Sequence, residues 1–187
     1  MTLHPIRALH PIRVLRRFRA TRRATQLLGE GVAVILDTET TDFKGDIIEV
    51  ALIEASTGTV LLNTLVKPER PISPEAQAIH GISEDMCSDA PTWEQVWPQL
   101  HAAIAGRTVL AYNAPYDRGR INQRCRDTVV EAHQWRWDCL MRLDAQARGT
   151  RRWRRLNGGH RALGDVQAAR HRLLSIATGA IAAGERA

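Results

Sequence analysis

Four carboxylates and one histidine fall in three short stretches of this chain: Asp37-Thr38-Glu39-Thr40, Asn113-Ala114-Pro115-Tyr116-Asp117 and His160-Arg161-Ala162-Leu163-Gly164-Asp165. Carboxylate oxygens are hard ligands suited to Mg²⁺ or Mn²⁺, ions that keep waters and accept phosphate oxygens into the rest of their shell. The residue types therefore point to metal-assisted phosphate chemistry. Asp37 and Glu39 follow the apolar run Val32-Ala33-Val34-Ile35-Leu36, which is short, rich in β-branched residues and preceded by Gly29 and Gly31, as a buried strand would be. Residues i and i+2 of a strand project from one face, so the two carboxylates leave the sheet together and repel unless a cation lies between them.

The other stretches must bring their acids to the same place. Asp117 follows Val109-Leu110-Ala111-Tyr112, a second strand candidate, and Pro115 fits the first turn of a helix continuing through Ile121. His160 and Asp165 would lie about 140° apart on one helix, so a single helical face does not present both. The histidine is expected just before the helix, where Gly158 and Gly159 make a permissive loop leading into the periodic apolar positions Leu163, Val166, Ala169 and Leu173. A histidine on such a lip, beside a metal-bound aspartate, can take a proton from water. Each stretch alone also fits an ordinary solvated acid at a strand end or helix start, or a loop histidine.

All three motifs, in this order, resemble those of the DEDDh 3′-5′ exonucleases, the superfamily of DnaQ-like proofreading subunits, RNase T and oligoribonuclease. Two further segments support the likeness, which spans residues 31–178: Ile79-His80-Gly81-Ile82, similar to the segment beside the terminal nucleotide, and Trp137-Asp138-Cys139-Leu140, similar to the turn before the last motif. The resemblance implies an α/β, ribonuclease H-like fold, a mixed five-stranded sheet flanked by helices with the carboxylates converging at one end. It implies Asp37, Glu39, Asp117, His160 and Asp165 as the catalytic set and two Mg²⁺ or Mn²⁺ ions, about 3.5–4 Å apart, clamping the scissile phosphate. In that scheme Asp37 bridges the ions, Glu39 and Asp165 hold the nucleophile-side ion, Asp117 positions the second through water, and His160 is the general base. Thr38, Thr40, His80, Gly81, Ile82 and Asn113 are the implied substrate contacts.

The implied reaction releases nucleoside 5′-monophosphates from the free 3′ end of single-stranded DNA, with a DNA polymerase as a candidate partner. RNA or short oligonucleotides are the alternative substrate, because discrimination by the 2′-hydroxyl is not carried by the motifs. A catalytically silent nucleic-acid or polymerase-binding module is the alternative from another class, although a binding module needs neither the acidic cage nor the histidine.

Charge is uneven along the chain. Residues 1–29 hold seven arginines and no acid, leaving 19 basic against 20 acidic residues in the remainder, a net of −1. Neutralising four of its acids with two divalent ions would bring that remainder to +3, compatible with approach of a polyanion. Arginine outnumbers lysine 24 to 2, which a codon-composition bias explains as well as phosphate recognition does. Cys87, Cys125 and Cys139 are odd in number and lack metal-site spacing, so a reducing, cytoplasmic setting without disulfides is expected. No apolar stretch is long enough to span a membrane.

Two units are expected: a basic, low-complexity extension over residues 1–30 and an exonuclease domain over 31–187. The extension carries a tandem hexad, Leu3-His4-Pro5-Ile6-Arg7-Ala8 and Leu9-His10-Pro11-Ile12-Arg13-Val14, then an amphipathic basic helix through Leu28, and reads as a tail separate from the core, disordered or helical. In the domain, residues 47–55 and 60–66 read as strands joined by a hairpin turn at Ser56-Thr57-Gly58-Thr59, and residues 75–79 as a short helix. A further helix is expected from an N-cap at Thr92 to Ile104, with Trp93, Val96, Trp97, Leu100 and Ile104 on its apolar face and Pro98 as a candidate kink. Arg148, Arg151, Arg152, Arg154 and Arg155 surround Trp153 in a compact basic interval, read either as a surface for backbone and base or as a solvated loop anchored by a buried Trp153.

Overall fold

The computed structural model describes residues 11–180. The first helix, α1 (Pro11–Leu27), leads to three strands, β1 (Ala33–Thr40), β2 (Ile47–Glu54) and β3 (Val60–Leu65). Two short helices follow, α2 (Pro74–His80) and α3 (Glu84–Cys87), then α4 (Trp93–Ile104) and β4 (Thr108–Ala111). The chain continues as α5 (Ala114–Asp127), β5 (Arg136–Cys139), α6 (Leu140–Ala147) and α7 (Ala162–Ala177). The five strands form one mixed sheet in the order β3-β2-β1-β4-β5, antiparallel across β3, β2 and β1 and parallel across β1, β4 and β5.

Strand alternation sorts the core into two layers. Ala33, Ile35, Ala51, Ile53 and Leu110 face α1, α6 and α7, where Leu140, Leu143, Val166, Ala169 and Leu173 meet them. Val34, Leu36, Val50, Leu52 and Val109 face α4 and α5 and pack on Trp93, Val96, Leu100, Ile121 and Cys125. The two helix tryptophans are core residues, as their spacing implied. The Gln95 side chain accepts from the Thr92 N–H at 2.9 Å, securing the start of α4, which passes through Pro98 as one helix. The sequence held no sign of α3, a single turn that Ser83 caps by accepting from the Met86 N–H.

The N-terminal segment requires a correction. Residues 11–27 are helical, but they are not separate from the core: Ala20, Ala24 and Leu27 are fully buried in the layer with α6 and α7. The Thr21 hydroxyl donates to the Ile176 carbonyl at 3.2 Å, and the Arg17 guanidinium donates to the Arg148 carbonyl at 3.2 Å. Two of the three buried residues are alanines, which give little hydrophobic periodicity but let a helix approach closely. The first hexad and the start of the second lie outside the described residues.

Candidate active site

β1 is the element that positions the acids, and its alternation aims them into both layers. Asp37 and Glu39 project on the side of α7, whose first turn supplies Asp165, and ligand oxygens of these three residues all lie within 4.8 Å of one another. Thr38 and Thr40 project on the side of α5. The Thr38 hydroxyl donates to Asp117 Oδ1 at 3.0 Å, and the Thr40 hydroxyl shares a 2.8 Å hydrogen bond with the Tyr116 hydroxyl. The four carboxylates thus converge from two layers on the end of one strand. A cleft of about 380 Å³ is lined by all four, together with Thr38, Asn113, Tyr116 and His160.

His160 lies before α7 on the expected lip, exposed and in the left-handed region at φ 55. The lip is seated by close backbone approach. A side-chain carbon on Gly158 would stand 2.5 Å from the Asp165 Cα, and one on Gly164 would stand 2.2 Å from the Gly158 carbonyl oxygen. Only glycine fits at these two positions.

Burial holds these acids above their ordinary range. Asp37 is raised by desolvation and then by repulsion from Asp117, Asp165, Glu39 and Glu49. Desolvation, followed by Asp165, Glu49 and Asp117, pushes Glu39 from 4.5 to about 8. Asp117 is raised by burial against the opposing hydrogen bond from Thr38, and Asp165 by burial against the opposing charge of His160. Such mutual repulsion is what a divalent cation relieves, and an all-oxygen donor set suits Mg²⁺ or Mn²⁺. The residues present therefore fit a metal site, with Asp37, Glu39 and Asp165 as its compact part and Asp117 beside them.

Sequence reasoning missed Glu49 and Arg161. Glu49 lies directly across the β1–β2 ladder from Glu39, where like charges destabilise the pairing. It is buried, and its carboxylate accepts from the Arg161 guanidinium at 2.6 Å and from the Ala162 N–H at 2.8 Å. A carboxylate from β2 therefore caps the N-terminus of α7, favoured by the helix dipole, and fixes the backbone between His160 and Asp165. The available signal was an acid in the otherwise apolar Ile47-Ile48-Glu49-Val50-Ala51.

Beside the carboxylates, Thr40, Phe43, Ser73, Ile79, His80 and Tyr116 line a second recess of about 500 Å³. Phe43 and Ile79 are exposed, and the Phe43 and Tyr116 rings lie 5.5 Å apart. His80 faces this recess, and its Nδ1 accepts from the Ile82 N–H at 3.0 Å. Gly81 and Ile82 do not line it. Gly81 ends α2 in the left-handed conformation, and Ile82 is fully buried with Ile48, Ile72 and Cys87. Burial thus closes Ile82 to a base, and Ile79, one turn earlier, presents the apolar surface, while Gly81 stays exposed. Trp153 is 56% exposed, which removes the reading in which it anchors its loop from the core, while Arg155 reaches the carboxylate cleft.

Comparison with known proteins agrees with this geometry. The sequence profile of the RNase T exonuclease family matches residues 34–175. An uncharacterized exonuclease, CP81, of Escherichia phage 186 is 39% identical over 124 residues, 62% of this chain and 63% of the phage protein. Exodeoxyribonuclease 10 of Escherichia coli K12 is 36% identical over 111 residues, 58% of this chain and 45% of that protein. The matched segments thus cover less than two thirds of either relative. A solved structure of exonuclease X in complex with 5′ overhanging duplex DNA superposes with a TM-score of 0.61 at 29% identity, covering 79% of this chain and 93% of that one.

Proposed function

Because the chain belongs to the RNase T exonuclease family, it carries a nuclease fold, and we propose that it removes nucleotides one at a time from the 3′ end of single-stranded DNA. The observation that carries this reading is the convergence of Asp37, Glu39 and Asp165 within 4.8 Å, next to Asp117 and the exposed His160. Asp37, Glu39 and Asp165 would hold divalent metal, with Asp117 contributing from the α5 side; two such ions, when bound, lower the pKa of water and stabilise charge on the phosphodiester. His160 takes the proton of the attacking water, for which its exposed position at the rim of the cleft suits it. The water oxygen bonds to phosphorus and the bond to the 3′-oxygen of the penultimate nucleotide breaks. The terminal nucleotide leaves as a 5′-monophosphate.

The recess of Thr40, Phe43, Ile79, His80 and Tyr116 seats the terminal nucleoside, with exposed apolar and aromatic surface against the base. Thr38 lines the cleft and donates its hydroxyl to Asp117, so it also orients that carboxylate. DNA is preferred over RNA because exodeoxyribonuclease 10 is among the similar proteins and because the exonuclease X neighbour was solved with DNA.

The test uses 5′-labelled single-stranded DNA and RNA of one sequence, with Mg²⁺ or Mn²⁺. A ladder shortening from the 3′ end, with 5′-monophosphates as product and DNA degraded faster, is expected. Degradation from the 5′ end, or RNA cut faster than DNA, would overturn the assignment of direction or sugar.

A further inference from the structure

Another recess is larger than the carboxylate cleft. It is a trough of about 740 Å³ between α1, α5, β5 and α6, and Arg19, Arg23, Arg118 and Arg142 line it around Trp137 and Asn122. Only Arg23 is matched, by Asp138 at 2.8 Å; among the described residues no carboxylate lies within ion-pair distance of Arg19, Arg118 or Arg142. Three unmatched guanidiniums beside an indole offer bidentate phosphate contacts next to a stacking surface. A neighbouring recess shares Arg118, Asn122 and Trp137 and adds Arg126 and Trp135, extending the basic and aromatic surface along α5.

Position relates the trough to the cleft. The carboxylates stand at the end of β1, and the trough opens past the ends of β4 and β5, where Ala114, Pro115 and Cys139 line it. These three strands are parallel, so both recesses lie at the carboxyl end of the same sheet, the usual ligand side of such sheets. Strands two apart are separated by about 10 Å, a distance a strand of nucleic acid crosses within two nucleotides. The helix that carries Arg19 and Arg23 is docked on the core through Ala20, Ala24 and Leu27. They also precede the residues that match the family, which begin at 34, so the trough is partly built by a segment outside the shared domain.

We propose that this trough binds the sugar-phosphate backbone of the substrate strand upstream of its 3′ end, an inference that rests on the exonuclease reading and assigns α1 the role of a substrate clamp. A dinucleotide, with a single nucleotide upstream of its scissile phosphate, falls short of the span from cleft to trough, whereas a strand of a dozen nucleotides covers it. The clamp therefore favours long substrates.

The test measures binding in chelator, without turnover, using a fluorescent 12-nucleotide single-stranded DNA across a range of salt concentrations. The triple variant Arg19→Ser, Arg118→Ser, Arg142→Ser is compared with Arg13→Ser, Arg16→Ser, Arg22→Ser, three exposed arginines of α1 that do not line the trough. Loss of the trough arginines is expected to weaken binding roughly tenfold or more and to flatten the salt slope by about 2, at about 0.7 per lost single-strand phosphate contact. The control has the same net charge and should keep most of both. Equal losses in the two triples, or unchanged binding in the first with native circular dichroism, would overturn the clamp. Wild-type protein that binds through the trough yet cuts nothing with Mg²⁺ would retain the clamp and sink the exonuclease reading; cleavage with unaltered binding in the trough triple would do the reverse.

Discussion

The carboxylate cleft and the arginine trough open at the same end of the sheet with opposite charge, and the fold holds those charges in different ways. In the cleft, four acids are pressed together from two layers, and burial raises each of them above its ordinary range. In the trough, Arg19, Arg118 and Arg142 are exposed to water. A buried, repelling cluster costs stability that only a specific ligand returns, so each member matters singly. Exposed arginines cost little, act additively and lose strength with salt. The contrast separates a site for chemistry from a surface for grip.

The sharpest break in that contrast comes from Asp37. Asp37→Asn should lower turnover by about a thousandfold or more, as expected when a ligand of the metal cage is lost. The metal-free variant should be more stable than wild type, because a buried charge repelled by Asp117, Asp165 and Glu39 is gone. Denaturant unfolding in chelator, beside a single-turnover assay, reads both. A stability gain with lost activity is the signature of a site built against its own fold.

His160→Ala should reduce the rate by roughly a hundredfold, with a smaller deficit at high pH where hydroxide replaces the lost base. Glu49→Gln tests the support beneath it. Weakening the cap on α7 and the pair with Arg161 should lower metal affinity or turnover by about tenfold, the usual range for a group that orients a ligand. Titration of Mn²⁺ binding separates this variant from a general loss of fold.

The pH dependence of stability follows from the raised carboxylates. Glu39 rises from 4.5 to about 8 on folding, so the folded protein binds more protons than the unfolded chain between those values. Stability of the metal-free protein should be highest toward the acid side of this window and fall as pH increases through it, by up to about 1.4 kcal/mol per pH unit for each such group. Mg²⁺ should oppose the fall and release protons as it binds. Thermal melts across the window, with and without Mg²⁺, check both signs. The smallest effect belongs to the trough: Arg118→Ser alone should change the affinity for a 12-nucleotide strand by about threefold or less at moderate salt, since exposed charges contribute little one at a time.

How far the sequence revealed these regions depends on how local their signals are. Asp37 and Glu39 were legible because strand alternation fixes their shared face within three residues, and the lip of His160 because paired glycines precede an apolar helix pattern. Glu49 and Arg161 were not, since they lie 112 positions apart and a lone acid in a strand does not name its partner. The docking of α1 was hidden by its two buried alanines, which leave the arginines as the dominant pattern. His80 and Ile82 show the same limit at short range: both belong to one motif, yet the left-handed Gly81 between them sends one to the recess and the other to the core. The trough assembles residues from four elements, and no stretch of sequence contains it.

The most direct test of the carboxylate site is the rate of 3′-terminal nucleotide release from single-stranded DNA, measured in chelator and then with increasing Mg²⁺, for wild type and Asp165→Asn. A metal-driven hydrolase should be silent in chelator, rise with saturable dependence on Mg²⁺, and lose about a thousandfold or more in the variant while remaining folded. Release that persists in chelator, or that survives Asp165→Asn at the wild-type rate, would contradict it.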